Sequence, residues 1–255
     1  MNAETGEVLR LTGLVKRYGE KKVVDGIGFS VKKGEIVGFI GPNGAGKSTT
    51  LQMVTDIVRK DAGMIFCMGE DVESDKRKFK GMLGVVPQDM AVYEDLSAYD
   101  NVKFFCSLYG YKGKELKERS ERALAFTGLL EWKKEMPSKF SGGMKRRLNI
   151  ACSIAHSPKI LIMDEPTVGI DPQSRNHIME TIKRLNEEGT TVIYVSHYME
   201  EIEAICDRII LADHGRILED MGKEELKEKY SKEGLVCLED IFLKLTGTDL
   251  RDEEA

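Results

Sequence analysis

Gly41-Pro42-Asn43-Gly44-Ala45-Gly46-Lys47-Ser48 matches the pattern G-x-x-x-x-G-K-[ST] at every fixed position. Glycines there let backbone N–H groups turn inward around phosphate oxygens, and a following helix N-terminus adds positive potential. In that chemistry Lys47 bridges the β- and γ-phosphates and Ser48 sets its hydroxyl on Mg²⁺. A chance glycine-rich turn is the bland alternative, but the complete pattern implies a bound nucleoside triphosphate. Asp164-Glu165 is the second candidate, two acids directly after the apolar Ile160-Leu161-Ile162-Met163. In a protein with a phosphate loop, an acid placed like Asp164 reaches the Mg²⁺ shell. The next acid, Glu165, is placed to orient and deprotonate an attacking water. Taken without the loop, the pair reads as an N-cap and a solvated acid.

Ser141-Gly142-Gly143 is a third candidate, followed by basic Lys145-Arg146-Arg147. Ser141 suits an N-cap, and two glycines bare the backbone at a positive helix end, which makes a second phosphate-binding terminus. An ordinary capped helix with a flexible start fits the same residues. Three single residues stay open on spacing alone. Gln88 follows the apolar Leu83-Gly84-Val85-Val86, and His197 follows residues 192–195 through Ser196. Each is either ligand-facing at a strand end or a loop residue. Tyr18, just ahead of Gly19, reads from spacing as an edge-strand aromatic, with stacking on adenine as the functional alternative.

These residues need elements to hold them. Residues 36–40 read as a buried strand entering the loop, and residues 49–58 as the helix leaving it. Residues 9–18 and 23–31 alternate apolar and polar side chains and read as antiparallel strands ahead of that strand. Short strands follow at 64–67 and 83–86, with a charged helix near 74–80. Residues 98–109, 114–127 and 143–156 are helix-compatible with no strand between them, which suggests a helical lobe inserted into an α/β core. The core resumes with strands at 160–163, 191–195 and 208–211 and helices at 173–188 and 199–204. Short amphipathic helices follow Gly222, then an acidic tail at 251–255.

The 255 residues suffice for one large domain or a core with an inserted lobe. With 38 basic against 43 acidic side chains, bulk charge gives no case for nucleic-acid binding. Five scattered cysteines without a C-x-x-C pair suggest buried thiols in a reducing compartment. Residues 1–5 carry an acid and no apolar core, unlike a signal peptide. No apolar run approaches the roughly 20 residues a bilayer crossing needs, so any membrane-spanning part belongs to another chain.

Taken together, Tyr18, the phosphate loop, Gln88, Ser141-Gly142-Gly143, Asp164-Glu165, Gly169-Ile170-Asp171 and His197 occur in the order seen in ATP-binding cassette (ABC) ATPases. The resemblance spans about residues 9–245. It implies an α/β fold: a P-loop NTPase core, an antiparallel β subdomain at the N-terminus and an inserted α-helical lobe. The core and β subdomain would take about 9–88 and 158–220, the lobe 89–157, and C-terminal helices and tail 221–255. By resemblance Tyr18 stacks on adenine, and Gly41, Pro42, Asn43, Gly44, Ala45, Gly46, Lys47, Ser48 and Thr49 hold the phosphates of ATP. Ser141, Gly142 and Gly143 form the signature motif and Asp171 the D-loop, all four serving nucleotide binding. Asp164, Ser48 and Gln88 serve Mg²⁺; Glu165, His197 and Gln88 serve catalysis. The family implies a head-to-tail dimer, the second cassette being a copy or a paralogue, with two ATPs between each loop and the opposite signature motif.

Phe140 and Met144 depart from the commonest signature, Leu-Ser-Gly-Gly-Gln, and Ile170 stands where the D-loop usually has Leu. The stretch Phe140 to Leu148 and the ending Leu238 to Gly247 are similar to stand-alone ATPases of multidrug, sodium and polysaccharide or lipid exporters. The implied partner is a separate transmembrane permease, and the implied location is cytoplasmic, on the inner face of the cell membrane through that permease. Docking near Gln88 would leave part of residues 90–108 exposed and apolar, with Ala91-Val92-Tyr93 and Phe104-Phe105 the candidates and core packing the expected fate of each Phe. A soluble ABC ATPase acting on ribosomes or DNA is the rival, but this chain has one cassette, no heptad insertion and no basic excess. A P-loop phosphotransferase would leave Ser141-Gly142-Gly143, Asp171 and His197 unexplained.

Overall fold

The computed structural model describes residues 6–235 and 237–247; the expectations for residues 1–5 and 251–255 lie outside the described residues. In chain order the strands are β1 (Glu7–Tyr18), β2 (Lys21–Lys32), β3 (Ile36–Ile40), β4 (Ala62–Cys67), β5 (Glu70–Asp71), β6 (Leu83–Val86), β7 (Ile160–Asp164), β8 (Thr191–Val195), β9 (Arg208–Asp213) and β10 (Arg216–Gly222). The helices are α1 (Lys47–Val54), α2 (Lys76–Met82), α3 (Ala98–Ser107), α4 (Gly113–Phe126), α5 (Gly142–Ile154), α6 (Pro172–Glu187), α7 (Met199–Ile205), α8 (Lys223–Ser231) and α9 (Leu238–Thr246). Two compact units divide the chain: one runs through Lys80 and resumes at Thr191, the other is Gly81–Thr190.

The first unit carries an antiparallel sheet of order β2-β1-β4-β5. Leu11 on β1 pairs with Phe29 on β2 and Ile65 on β4, and all three are buried, as one face of an alternating strand requires. The same unit holds the strand order β10-β9-β3-β8, in which β3 runs parallel to β8 and β9 while β10 returns antiparallel to β9. All five residues of β3 and all five of β8 are buried, the continuous apolar pattern of a parallel strand covered on both faces. Phe29 and Phe39 meet at 5.6 Å between ring centroids and join the two layers. The helix after the phosphate loop is shorter than expected. It starts at Lys47 and ends at Val54, because Asp56 takes a left-handed φ of 59° and breaks it.

In the second unit β6 and β7 pair in parallel, Leu83 opposite Ile160 through Val86 opposite Met163. Helices α3, α4 and α5 pack together, and Ser153 at the end of α5 donates to the Val85 carbonyl at 2.6 Å. Four cysteines are buried as expected, but Cys237 is exposed, since it caps α9 at its solvent edge. The hairpin strand β10 and the two-residue β5 have no counterpart in the sequence expectations. Both are too short or too polar to announce themselves: β10 reads Arg-Ile-Leu-Glu-Asp-Met-Gly with no buried residue. No helix among the described residues is long and apolar enough to cross a membrane.

His156, just beyond α5, is buried and bonds the Leu83 carbonyl through Nε2 at 2.8 Å, while its ring stacks on Tyr109 at 3.6 Å. Burial pushes its imidazole down to about 4 from 6.5, so it is neutral in the fold and donates from Nε2. A depressed folded pKa means the unfolded chain takes the proton first. Stability is therefore held above about pH 6.5 and lost as pH falls toward 4, by up to about 3 kcal/mol. Melting temperatures from pH 7 to 4 should fall more steeply for the wild type than for His156→Gln; parallel curves would refute this origin of acid lability.

Candidate active site

The phosphate loop is built where β3 runs into α1. Gly46 sits at φ 93° directly before Lys47, and a Cβ there would lie 2.6 Å from the Val23 carbonyl oxygen, so no larger residue fits. No side chain caps α1 and its first turn holds no acid. Its N–H groups and the positive end of its dipole are thus directed to an anion from outside the helix. Lys47 is buried, and its ammonium donates to the carbonyls of Gly41 at 2.7 Å and Pro42 at 3.1 Å, which brings the charge over the loop. Ser48 beside it is exposed. The turn between β9 and β10 braces the loop from behind, the Gly215 N–H donating to the Ala45 carbonyl at 3.1 Å.

Tyr18 and His197 belong to the same unit. Tyr18 ends β1 with 49% of its surface exposed, and the Lys16 ammonium lies 5.4 Å from its ring centroid. His197 is exposed just after buried β8. Its neighbours are fixed on both sides. Ser196 Oγ donates to the buried Glu201 carboxylate at 2.9 Å and accepts from the Tyr198 N–H at 3.0 Å, and Tyr194 donates to the same carboxylate at 2.8 Å.

The second unit gathers Gln88, Ser141-Gly142-Gly143, Asp164, Glu165 and Asp171. Gln88 donates from Nε2 to Glu165 Oε2 at 3.2 Å, so the two residues that spacing alone left separate are in contact. Asp164 ends β7, and Glu165 follows with a left-handed φ of 47°, a conformation costing about 1–3 kcal/mol in a residue that carries a Cβ. Ser141 caps α5 by accepting from the Met144 N–H, and both Ser141 and Gly142 are exposed. Asp171 caps α6 by accepting from Ser174 N–H at 2.9 Å, and that bond holds its carboxyl below the usual range. The two caps adjoin: a Cβ on Gly143 would lie 2.1 Å from Ser174 Oγ and 3.4 Å from Asp171 Oδ2.

The basic run after the signature glycines is committed elsewhere. Lys145 pairs with Glu94 at 2.7 Å, and Arg147 donates to the Thr127 carbonyl at 3.2 Å. Arg146 is 2% exposed and donates to the carbonyls of Pro87 at 2.7 Å and Gln88 at 2.6 Å. Spacing alone left the partners of this run open. Its helical spacing, with Leu148 and Asn149 also buried, was the available sign that Arg146 points inward.

Comparison with known families matches residues 24–168 to the family described as ABC transporter. The Linearmycin resistance ATP-binding protein LnrL of Bacillus subtilis (strain 168) is 48% identical over 91% of this chain and 74% of its own length. The Nod factor export ATP-binding protein I of Ralstonia nicotianae is 40% identical over 82% of this chain and 65% of its own length. An ATP-binding cassette solved as a dimer in a post-hydrolysis state, bound to ADP and Pi, matches at a TM-score of 0.75 and 26% identity, covering 84% of this chain and 98% of that one.

The contact at Gly143 gives a direct test of how the two caps are held. Gly143→Ala should lower stability by about 1–3 kcal/mol through overpacking against Ser174, and adding Ser174→Gly should restore most of it. Thermal unfolding of the single and double variants measures both, and a fully stable Gly143→Ala protein would contradict the packing.

Proposed function

We propose that this chain, which belongs to the ABC transporter family as an ATP-binding subunit that hydrolyses ATP, powers export through a separate membrane permease as one of a pair of cassettes sandwiching two ATPs. The carrying observation is a chain with two phosphate-suited helix ends of unlike kind. One is the loop at Gly46-Lys47, with its lysine already drawn over it. The other is the α5 end, whose Ser141 and Gly142 are exposed in the single chain and would serve a nucleotide held by a second cassette. The similarity to proteins named for Linearmycin resistance and Nod factor export supports the direction of transport. Neither name concerns nucleic acid, and the ribosome or DNA reading is not favoured.

In this reading Tyr18 stacks on the adenine, residues 41–49 hold the phosphates, and His197 meets the γ-phosphate. Glu165 is the base, and Gln88 aims it by the amide hydrogen bond to its carboxylate. The residues suit Mg²⁺: the Ser48 hydroxyl, the Asp164 carboxylate and the Gln88 amide oxygen are hard oxygen donors, the Gln88 nitrogen being turned to Glu165. Bound with ATP, the ion neutralises charge on the β- and γ-oxygens. The chain would sit in the cytoplasm on the inner face of the membrane, held there by its permease.

A permease needs a surface to grip. Tyr93, Phe104 and Phe105 cluster with centroids 5.2–5.9 Å apart, Phe104 meeting both other rings edge-on and Tyr93 stacking on Phe105, with Tyr93 49% exposed and Phe104 38%. Neither phenylalanine enters the core: Phe105 is half-buried, because α3 turns its buried face, Val102 and Cys106, the other way. Buried Asn101 fixes the loop above by bonding Tyr93 N–H and the Tyr93 and Leu96 carbonyls. This is the apolar patch we assign to the permease.

Two variants separate binding from turnover. Glu165→Gln should keep ATP affinity, lose about 10²–10⁴ in kcat, and shift from monomer to dimer by light scattering when ATP is added without Mg²⁺. Wild-type turnover in that variant would remove Glu165 as the base. Lys47→Ala should weaken ATP binding about tenfold to a hundredfold, the range for losing a hydrogen-bonded charge. Calorimetry showing unchanged affinity would refute the role of the lysine.

A further inference from the structure

Gln88 lies in a segment without regular structure, residues 87–97 between β6 and α3, so no ladder fixes where its side chain points. The chain supplies another support. Arg146 donates Nη1 to the Pro87 carbonyl at 2.7 Å and Nη2 to the Gln88 carbonyl at 2.6 Å. These carbonyls belong to the two peptide planes on either side of the Gln88 Cα. Each plane is rigid, so holding both oxygens holds both backbone dihedrals of residue 88 and hence the direction of its Cα–Cβ bond. From that base the Gln88 amide reaches Glu165 Oε2 at 3.2 Å.

We propose that Arg146 is a positioning residue for ATP hydrolysis, acting through the backbone of Gln88 to set the amide that aims Glu165. The proposal rests on the reading of Gln88 and Glu165 given above. Its chemistry depends on the planar fork of a guanidinium, which meets two acceptors at once; a lysine ammonium in the same place is a point charge and does not reproduce that geometry. Arg146 is 2% exposed and rides on α5, the helix that begins at the signature glycines, so the Gln88 backbone is carried by that helix.

Arg146→Lys keeps the charge and removes the fork, which makes it the informative variant. On the full-length chain its kcat should fall about tenfold to a hundredfold, the scale of a small misplacement of a catalytic group, with KM for ATP within about twofold. In a Gln88→Ala background the same change should lower kcat by less than about twofold more, since the positioned group is gone. The Gln88 side-chain amide resonance, assigned by its loss in Gln88→Ala, should move toward the position of a solvated glutamine in Arg146→Lys, and thermal unfolding should show the variant folded. A folded Arg146→Lys protein with wild-type kcat overturns the proposal. A fall in kcat with the amide resonance unmoved also overturns it, because Arg146 would then act elsewhere. Wild-type kcat in Gln88→Ala would instead overturn the reading of Gln88, and the amide resonance still decides whether Arg146 positions it.

Discussion

A phosphate group surrounded by backbone N–H donors requires the main chain itself to come within hydrogen-bond reach, and that close approach governs the first unit. Gly46 can take its left-handed turn only because it lacks a Cβ, which would otherwise sit 2.6 Å from the Val23 carbonyl oxygen. Val23 lies on β2, so the β1–β2 hairpin is more than a lid on the core: it is the wall against which the loop is formed. The β9–β10 turn closes the other side through Gly215, whose N–H holds the Ala45 carbonyl while its own carbonyl accepts from Asp25 of β2 at 2.8 Å. A loop exposed to a charged ligand keeps its shape because two separated segments, β2 and the β9–β10 turn, brace its backbone from behind. The buried strands β3 and β8 hold its base in the core.

The second unit handles a different demand, which is to present a carboxylate at the end of a buried strand without letting it wander. β7 is apolar to Met163 and turns abruptly at Glu165, where φ of 47° stores backbone strain. Strain of that kind persists only where the surroundings over-determine the conformation. Here the buried residues of β7 fix one side, and the turn through Thr167 and Ile170 into the Asp171 cap of α6 fixes the other. Gln88 then restrains the side chain itself. Each restraint acts on a single dihedral or a single oxygen, and together they narrow the orientations open to the carboxylate.

Most of the frame was legible in the sequence because the physics there is local. An unbroken apolar strand, a glycine-lysine loop, a serine or aspartate cap and an acid pair after a strand each declare themselves within a few residues. Strands β1 to β4 and β6 to β9 lie where periodicity put them, and so do the long helices α3 to α6. What stayed hidden depends on contacts between distant residues. The Gln88–Glu165 bond joins positions 77 apart, and the fit of Gly143 against Ser174 joins two helices. The role of Arg146 stayed hidden for the same reason. A basic triplet does not show which member turns inward until the helix phase and the carbonyls facing it are known. The early end of α1 has a more local cause that composition does not carry, a single aspartate in the left-handed region.

The placement of those basic residues ties together parts that the sequence lists separately. Lys145 and Arg146 are consecutive on α5, yet they hold opposite stretches of one loop: Arg146 the carbonyls of Pro87 and Gln88, Lys145 the carboxylate of Glu94. Between these anchors the chain passes to Tyr93, whose backbone is fixed by buried Asn101 and whose ring begins the exposed aromatic patch. The loop therefore cannot shift at its Gln88 end while staying fixed to α5, because the two carbonyl bonds share one rigid guanidinium. Nor can its Glu94 end leave without breaking an ion pair. The exposed Lys145–Glu94 pair is the weaker restraint, since partly solvated ion pairs contribute at most about 1 kcal/mol, and Arg146 with its two short bonds is the stronger. A load applied at the aromatic patch thus meets its firmest resistance at Gln88, so the element that receives it is α5, within about one turn of the signature glycines at which that helix begins.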